Sequence, residues 1–490
     1  MRETTEKVEY FGASKFEIAM ISLTQVAANL FNVLMTMVSY LATGGWGMAV
    51  MVASQITASM RILDAVTDPI VSWFAPRVRT RFGVATPLVF LGWILEMVSI
   101  ILMFNVMPNT QSVPLFIVLY VVNVFGYTFL NKAIMIYKLN VTNDPKKRPL
   151  FQRYNQTFVM IFTMILSLYR AKILVPKYGG LKLGLFQELS VFILIVTGVM
   201  MLLGLFFARK YDKVEDFERN YHKATDFNFK DIWNLIVHNP AFLMETISNA
   251  TDKIASQTAG NTAVQTLLFG IIIANYGFTG DISIITTLVT LAMIWLITGR
   301  AKKRGNKDAY LKWCWLCVIV AAVTCTFLAV IDPTQITKAT VPTVIFVILY
   351  AVMNSFKSTT NAAVQTMTLD IQDYEFYLHG KYLGPMVNAV GTLLSKVVDS
   401  LSSIILAACL ATLGYVDSMP QPGDPSSPKV FWMTMFLWLG MPVLGYLASI
   451  IAMKWYPLTV EKMVEVQKHN NEMRAKNAAA YEAELAGKNA

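Results

Sequence analysis

Apolar segments of about 20 residues recur along almost the whole chain and leave little room for any other kind of structure. A helix of that length crosses the roughly 30 Å of hydrocarbon in a bilayer, and about twelve segments qualify. Water is absent there to satisfy unpaired backbone groups, and no ten-residue alternating pattern suggests a barrel. The sequence therefore predicts an all-α bundle of membrane-spanning helices. The expected spans lie near residues 16–42, 46–74, 86–106, 114–136, 155–175, 186–208, 238–275, 281–299, 309–331, 341–366, 382–413 and 430–454.

The composition supports this class of protein. Of the 490 residues 55% are hydrophobic and only 15% are charged, which excludes an ordinary soluble multidomain protein. The net charge of +10 lies mainly in short loops, so we expect membrane lipids rather than nucleic acid as its partners. The four cysteines lie within apolar spans. They are interpreted as small buried hydrophobic residues, and no metal centre or other cofactor is predicted.

The basic loops predict the orientation of the chain. Those at 77–81, 146–153, 209–213 and 300–307 all follow even-numbered spans and should be cytoplasmic, with both termini. The lysines at 172, 177 and 182 follow the fifth span and would lie on the outer side, contrary to this rule. The four basic loops outnumber this one exception. The expected organisation is a six-helix half at 1–208, a central cytoplasmic loop at 209–237, a second six-helix half at 238–454 and a cytoplasmic tail at 455–490. Two related six-helix halves are typical of major-facilitator transporters, whose substrate site lies between the halves.

The second span contains charged residues, which are rare and energetically costly at membrane depth. Arg61, Asp64 and Asp68 recur at three- and four-residue spacing and so share one helical face. Each charge at membrane depth costs at least about 2.5 kcal/mol, which favours a place in a cavity or pathway. A static pair in which Arg61 neutralises Asp64 is the alternative.

Two motifs carry a family resemblance. Asp64-Ala65-Val66-Thr67-Asp68-Pro69 is followed by an Arg-Thr-Arg-Phe-Gly run at 79–83 and a proline at 87. Far along the chain, Asp370-Ile371-Gln372-Asp373-Tyr374 precedes a glycine at 380 and a lysine at 396. Together they resemble the signatures of the glycoside–pentoside–hexuronide:cation symporters, the melibiose permease family.

The resemblance implies a site for the coupling cation. It assigns this role to Asp64, Asp68 and Thr128, and we add Thr67, which lies between the two aspartates. Carboxylate and hydroxyl oxygens suit a hard cation such as Na⁺. Two neighbouring carboxylates at membrane depth could instead carry H⁺. The sequence leaves the choice between these cations open.

The implied sugar site departs from the family pattern. Arg153 matches the family's arginine, but Asn131 replaces an aspartate and cannot make the same charge-assisted contact, which puts galactoside specificity in doubt. Lys132 is a further candidate. The family's lysine and arginine after the Asp-Tyr pair are replaced by Leu378 and Tyr382, so Lys132 or the displaced lysine at 381 is expected to supply the missing positive charge.

Polar residues in the second half complete the predicted substrate site. These are Asp252, Lys357 and Asn361, with hydrogen bonding between helices as the alternative role. A cytoplasmic gate is predicted between basic residues of the first half and carboxylates of the second. Its members are Arg77, Arg79, Arg81, Asp370 and Asp373.

The sequence predicts a monomeric secondary transporter that couples uptake of a sugar or glycoside to a cation. The first span lacks the features of a cleavable signal, which fits a multi-pass protein of a bacterial inner membrane. Alternatives are a transporter of the same fold for an anionic sugar acid or another non-sugar solute, and a non-transporting nutrient sensor. An enzyme is not expected, because the sequence shows no metal cluster, nucleophile elbow or phosphate-cradling loop.

Overall fold

The computed structural model describes residues 13–78, 80–140, 148–214, 229–304, 306–379 and 384–473, and this part of the chain is almost entirely helical. The only β structure in these residues is one bridge, between Thr80 and Gly83. The α-helices are α1 Lys15–Met35, α2 Val38–Gly44, α3 Val50–Phe74, α4 Thr86–Ile100, α5 Val113–Asn140, α6 Arg148–Leu168, α7 Val175–Tyr178, α8 Leu183–Ala208, α9 Phe229–His238, α10 Pro240–Gly260, α11 Thr262–Gln265, α12 Phe278–Arg304, α13 Asn306–Val330, α14 Thr340–His379, α15 Gly384–Thr412, α16 Pro428–Met435 and α17 Met441–Ala452. Turns of π-helix continue four of them at Ile101–Val106, Tyr169–Leu174, Thr266–Ile272 and Phe436–Gly440.

Within the described residues, nine helical segments are long and apolar enough to cross a membrane. The all-α prediction is confirmed. The nine segments are Lys15–Met35, Thr86–Val106, Val113–Tyr137, Arg153–Tyr178, Leu183–Ala208, Asn306–Val330, Thr340–His379, Ala389–Thr412 and Pro428–Trp455.

The remaining predicted spans differ from these nine for physical reasons. Helix α3 contains the charged residues Arg61, Asp64 and Asp68 and is not one of the nine apolar segments. The predicted seventh span at 238–275 was wrong as a single helix, because the chain breaks at Asn261, whose side chain accepts a hydrogen bond from the amide of Ala263 at 2.9 Å. The eighth span appears as a shorter apolar segment, Phe278–Met293.

The described residues form two compact units. The first contains those within Met1–Lys223, Phe269–Ile284 and Ser403–Pro425, and the second those within Ala224–Leu268, Ile285–Ser402 and Ser426–Ala490. The predicted division into halves at 1–208 and 238–454 stays a prediction.

In the first unit, α4 packs along α5, while α1 packs against α6 and α8. Glycines bring α4 and α5 together: a Cβ on Gly92 would lie 2.7 Å from the carbonyl oxygen of Gly126, and a Cβ on Gly126 would lie 3.0 Å from that of Gly92. Small residues allow such close backbone contact between helices where lipid supplies no hydrophobic driving force. Helix α3 also packs on α5, which places its polar residues beside that helix.

One loop lies at the end of the first unit that is predicted to face the outer side of the membrane, and this loop makes several hydrogen bonds. This segment, Tyr415–Pro425, is called the outer-end loop below. The side chain of Gln421 accepts from the amide of Leu181 at 2.7 Å and donates to its carbonyl at 3.3 Å. Tyr40 donates to the carbonyl of Pro420 at 3.0 Å. Two backbone bonds join Val50 to Val416 at 2.8 Å and Gly423 to Gly270 at 3.1 Å.

The second unit is built on α10 against α17 and on α13 against α14 and α17. A Cβ on Gly445 would lie 2.9 Å from the carbonyl oxygen of Thr251, so α17 and α10 also meet at a small residue. Cys314 and Cys317 are free thiols buried in the core of this unit, as the sequence interpretation expected, whereas Cys325 and Cys409 are free thiols that are only half-buried.

Candidate functional site

A cluster of side-chain oxygens lies where α3 packs on α5. The hydroxyl of Thr128 donates to Oδ1 of Asp64 at 3.1 Å and lies 3.4 Å from the hydroxyl of Thr67. Thr67 is one turn beyond Asp64 and donates to its backbone carbonyl at 3.2 Å. Thr67 and Thr128 are buried. One carboxylate and two hydroxyls therefore lie close together where α3 packs on α5, and they are a ligand set suited to a hard cation.

Asp68 has a cationic partner on α5. Its Oδ1 lies 3.1 Å from Nζ of Lys132, and only 13% and 17% of the two side chains are exposed. Lys132 follows Thr128 by four residues, so both project from one face of α5. Lys132 therefore lies beside one of the two predicted cation-site aspartates, and its role as the replacement for the family's lysine stays a prediction. Lysine 381, the other candidate, lies outside the described residues.

Two predicted sugar-binding residues of the first unit differ in their exposure to solvent. Asn131 is half-buried, and both ends of its amide are engaged: the nitrogen donates to the carbonyl of Tyr127 and the oxygen accepts from Gln25, each at 2.9 Å. Arg153, on α6, is exposed. Their roles stay predictions.

In the second unit, Asp252 is part of a hydrogen-bonded core. It is buried and accepts from Tyr310 at 2.5 Å and from Ser449 at 2.8 Å. These contacts match the alternative that the sequence left open, bonding between helices. Lys357 is half-buried on α14, and Asn361 is exposed one turn further along the same helix.

The predicted gate is only partly within the described residues. Arg77 and Arg81 are exposed, whereas Arg79 lies outside the described part of the chain. In the second unit, Asp370 accepts from Asn306 and Asp373 accepts from Gln467, both at 2.7 Å. The pairing between these arginines and aspartates stays a prediction.

Sequence reasoning missed Asp212, which caps the start of α4. Its buried carboxylate accepts hydrogen bonds from three consecutive backbone amides at 84–86, and also from the hydroxyl of Thr86 at 2.7 Å. These amides begin α4, whose first N–H groups have no partner within the helix. A cap 126 residues away in sequence gives no local pattern by which it could be found.

Comparisons with known proteins identify the fold and a family. A family model described as MFS/sugar transport protein matches residues 20–460. A protein of Escherichia coli (strain K12) named "Putative glycoside/cation symporter YagG" is 22% identical over 462 residues, which cover 91% of this chain and 92% of that protein.

Solved structures agree on the fold. The nucleoside transporter NupG superposes with a TM-score of 0.58 at 12% identity, over 91% of this chain and 99% of NupG. A D-xylose-proton symporter gives 0.57 at 11% identity, over 89% and 98%. A structure reported for proton dependent oligopeptide transporters gives 0.60 at 14% identity, over 92% and 100%. Such distant likenesses show the major-facilitator fold alone.

Proposed function

This chain belongs to the MFS/sugar transport protein family, and on that premise we propose that it carries a glycoside across the membrane together with a cation. It is an integral, multi-pass membrane protein of the major-facilitator fold, and the resemblance to the glycoside–pentoside–hexuronide symporters is confirmed. The name of the YagG relative supports both the glycoside and the cation.

The observation that carries the proposal is the oxygen cluster of Asp64, Thr67 and Thr128. A carboxylate at membrane depth is stable when it binds a cation or a proton, and the two hydroxyls complete part of a coordination shell. Lys132 lies beside Asp68, and we assign the coupling cation to the oxygen atoms around Asp64. Cation binding there is proposed to favour binding of the sugar, and the reverse then holds by linkage.

The sugar is proposed to bind near the cation cluster. Asn131 and Arg153 would supply hydrogen bonds from the first unit, and the sugar-binding roles of Asp252, Lys357 and Asn361 in the second unit stay predictions. The predicted arginine gate would close the cytoplasmic side in each cycle.

One observation favours a second candidate, symport of an anionic solute such as a sugar acid. Lys357 is half-buried within a span, and in the described residues no carboxylate lies within ion-pair distance of its ammonium group. A lysine of this kind is stabilised when an anionic group binds beside it.

Uptake of radiolabelled neutral glycosides, pentosides and hexuronates into energised vesicles tests both candidates. The panel is run with and without Na⁺ and at two pH values, for wild type, Asp64→Asn and the control Asp417→Asn, which changes an exposed residue of the outer-end loop. We expect cation-dependent accumulation of a neutral glycoside that Asp64→Asn abolishes and Asp417→Asn retains. Accumulation of hexuronates alone selects the anionic candidate, and accumulation that Asp64→Asn leaves intact contradicts the assignment of the cation site.

A further inference from the structure

A cavity of about 1100 Å³ opens at the end of the first unit that is predicted to be cytoplasmic. It lies between the start of α1, the segment before α4 and the end of α8. Four basic side chains line it, and three of them, at 209, 210 and 213, follow the end of α8 directly. The four are Arg81, Arg209, Lys210 and Lys213.

The cavity has an excess of positive charge. Glu17 pairs with Lys210 at 3.2 Å, and this hydrogen bond raises the pKa of Lys210, so that its ammonium group stays charged. The carboxylate of Asp212 is buried against the amides that begin α4. Arg209 and Lys213 are exposed, and the guanidinium of Arg209 lies 4.6 Å from the centre of the Phe206 ring. The open space is therefore lined by the remaining cations, Arg81, Arg209 and Lys213, and by apolar side chains at its edge.

An apolar stripe on α8 leads into this cavity. Four side chains recur at four-, three- and four-residue spacing and lie on one helical face. More than half of each is exposed, and the last two also line the cavity. The stripe consists of Ile195 at 64%, Val199 at 56%, Leu202 at 62% and Phe206 at 57% exposure. On a helix that crosses a membrane, such a face lies against acyl chains.

We propose that this cavity binds one anionic phospholipid of the membrane. The phosphate of the headgroup would lie among Arg81, Arg209 and Lys213, and an acyl chain would lie along the stripe on α8. Charge complementarity favours an anionic headgroup over a zwitterionic one, because guanidinium and ammonium groups bind phosphate oxygens through charge-assisted hydrogen bonds. The continuous apolar face favours a lipid over a free phosphate. This site goes beyond the transport function and does not depend on which solute is carried.

Native mass spectrometry of the purified, delipidated full chain tests the proposal. Phosphatidylglycerol and phosphatidylcholine with identical acyl chains are titrated onto wild type, Arg209→Gln/Lys213→Gln and the control Lys338→Gln/Lys454→Gln, whose two lysines are exposed elsewhere. Loss of two charges near the headgroup, at about 1 kcal/mol each, should weaken phosphatidylglycerol binding about 30-fold. Phosphatidylcholine binding and the control should not change.

The thermal unfolding temperature in detergent shows whether the double variant is folded. If the double variant is not folded, Lys213→Gln alone is titrated in its place, and its affinity for phosphatidylglycerol should fall about fivefold. Equal affinity of wild type for the two lipids would overturn the proposal. So would phosphatidylglycerol binding by the folded variant that equals binding by the control.

Discussion

Lys132 holds a positive charge 3.1 Å from Asp68 at a place where both side chains are largely shielded from solvent. Removal of one partner from such a pair leaves a charge without compensation, which typically costs 3–5 kcal/mol when the pair is fully buried, so about half of that is expected here. The lysine also lowers the negative potential at Asp64, one turn away on α3. Its charge therefore sets how strongly the proposed site attracts a cation.

The first prediction is that Lys132→Gln binds the coupling cation more tightly. Without the ammonium group, two carboxylates face the cation, and the half-saturating cation concentration should fall about tenfold, or about 1.4 kcal/mol. The maximal rate should also fall, because release of the cation becomes slower. Uptake measured against cation concentration gives both quantities.

The double variant Asp68→Asn/Lys132→Gln is the matched control for that experiment. It removes both charges together, so its half-saturating concentration should return towards wild type and its unfolding temperature should exceed that of either single variant. An unchanged cation dependence in Lys132→Gln would show that this charge does not act on the cation site.

The second prediction concerns the hydroxyl that joins α5 to the cluster. Thr128→Val keeps the shape of the side chain but removes an oxygen from beside Asp64, and we expect cation affinity to fall about tenfold. Thr128→Ser should retain it. Thr290→Val, which removes a buried hydroxyl 3.3 Å from that of Ser355 in the second unit, is the matched control. Equal losses in the two valine variants would mean that the effect is on packing alone.

For individual residues, the spacing along one helix predicts which side chains share a face, but it does not predict which faces of two helices meet. Asp64 and Thr67 follow from one helix, and the family motif brings in Thr128. The fixed spacing of a helix also places Lys132 beside Thr128. The contact from Gln25 to Asn131 spans 106 residues and that from Tyr310 to Asp252 spans 58, so both depend on the packing of whole helices.

Among the elements, α4 shows how a helix end depends on a distant residue. Its first amides are bonded by Asp212, which stands four residues beyond the end of α8. The approach is very close: Gly83 has φ +111, and a Cβ there would lie 2.2 Å from a carboxylate oxygen of Asp212. Only glycine fits this backbone conformation and this gap.

The third prediction follows from that contact. Asp212→Asn keeps the size of the side chain but loses the charge at the positive end of α4, and should lower the free energy of unfolding by about 1–3 kcal/mol. Gly83→Ala should destabilise at least as much, because it combines a strained φ with a clash. Thermal unfolding in detergent measures both. Gly260→Ala, where a Cβ would meet nothing within 4 Å, is the control for a helical glycine and should change little.

The lengths of the elements were predictable where hydropathy decides them. The predicted spans 86–106 and 186–208 agree closely with Thr86–Val106 and Leu183–Ala208. The tenth was expected to end at 366, because polar residues follow, yet α14 continues to His379. Its polar end is held by tertiary hydrogen bonds from Asn306 to Asp370 and from Gln467 to Asp373, which hydropathy does not register.

For the molecule as a whole, the outer-end loop is where distant parts of the chain are joined within one compact unit. The partners of Gln421, Pro420, Val416 and Gly423 lie between 153 and 380 residues away in sequence. A transporter that exposes its site alternately to the two sides must break contacts of this kind in every cycle. We therefore expect them to set the population of the state that is closed on the predicted outer side.

The fourth prediction is that Gln421→Ala shifts the protein towards a state that is open on that side. The variant loses two hydrogen bonds to Leu181, each with a net value of about 0.5–1.5 kcal/mol, so the population ratio should change about fivefold or more. Spin labels at Lys182→Cys and Ser418→Cys, both exposed, report the distance between the loop and its partner segment. The long-distance population should grow in Gln421→Ala and stay at the wild-type level in Asp417→Ala, which changes the same loop without these bonds. If both variants give the wild-type distance distribution, the bonds of Gln421 do not hold this end of the first unit closed.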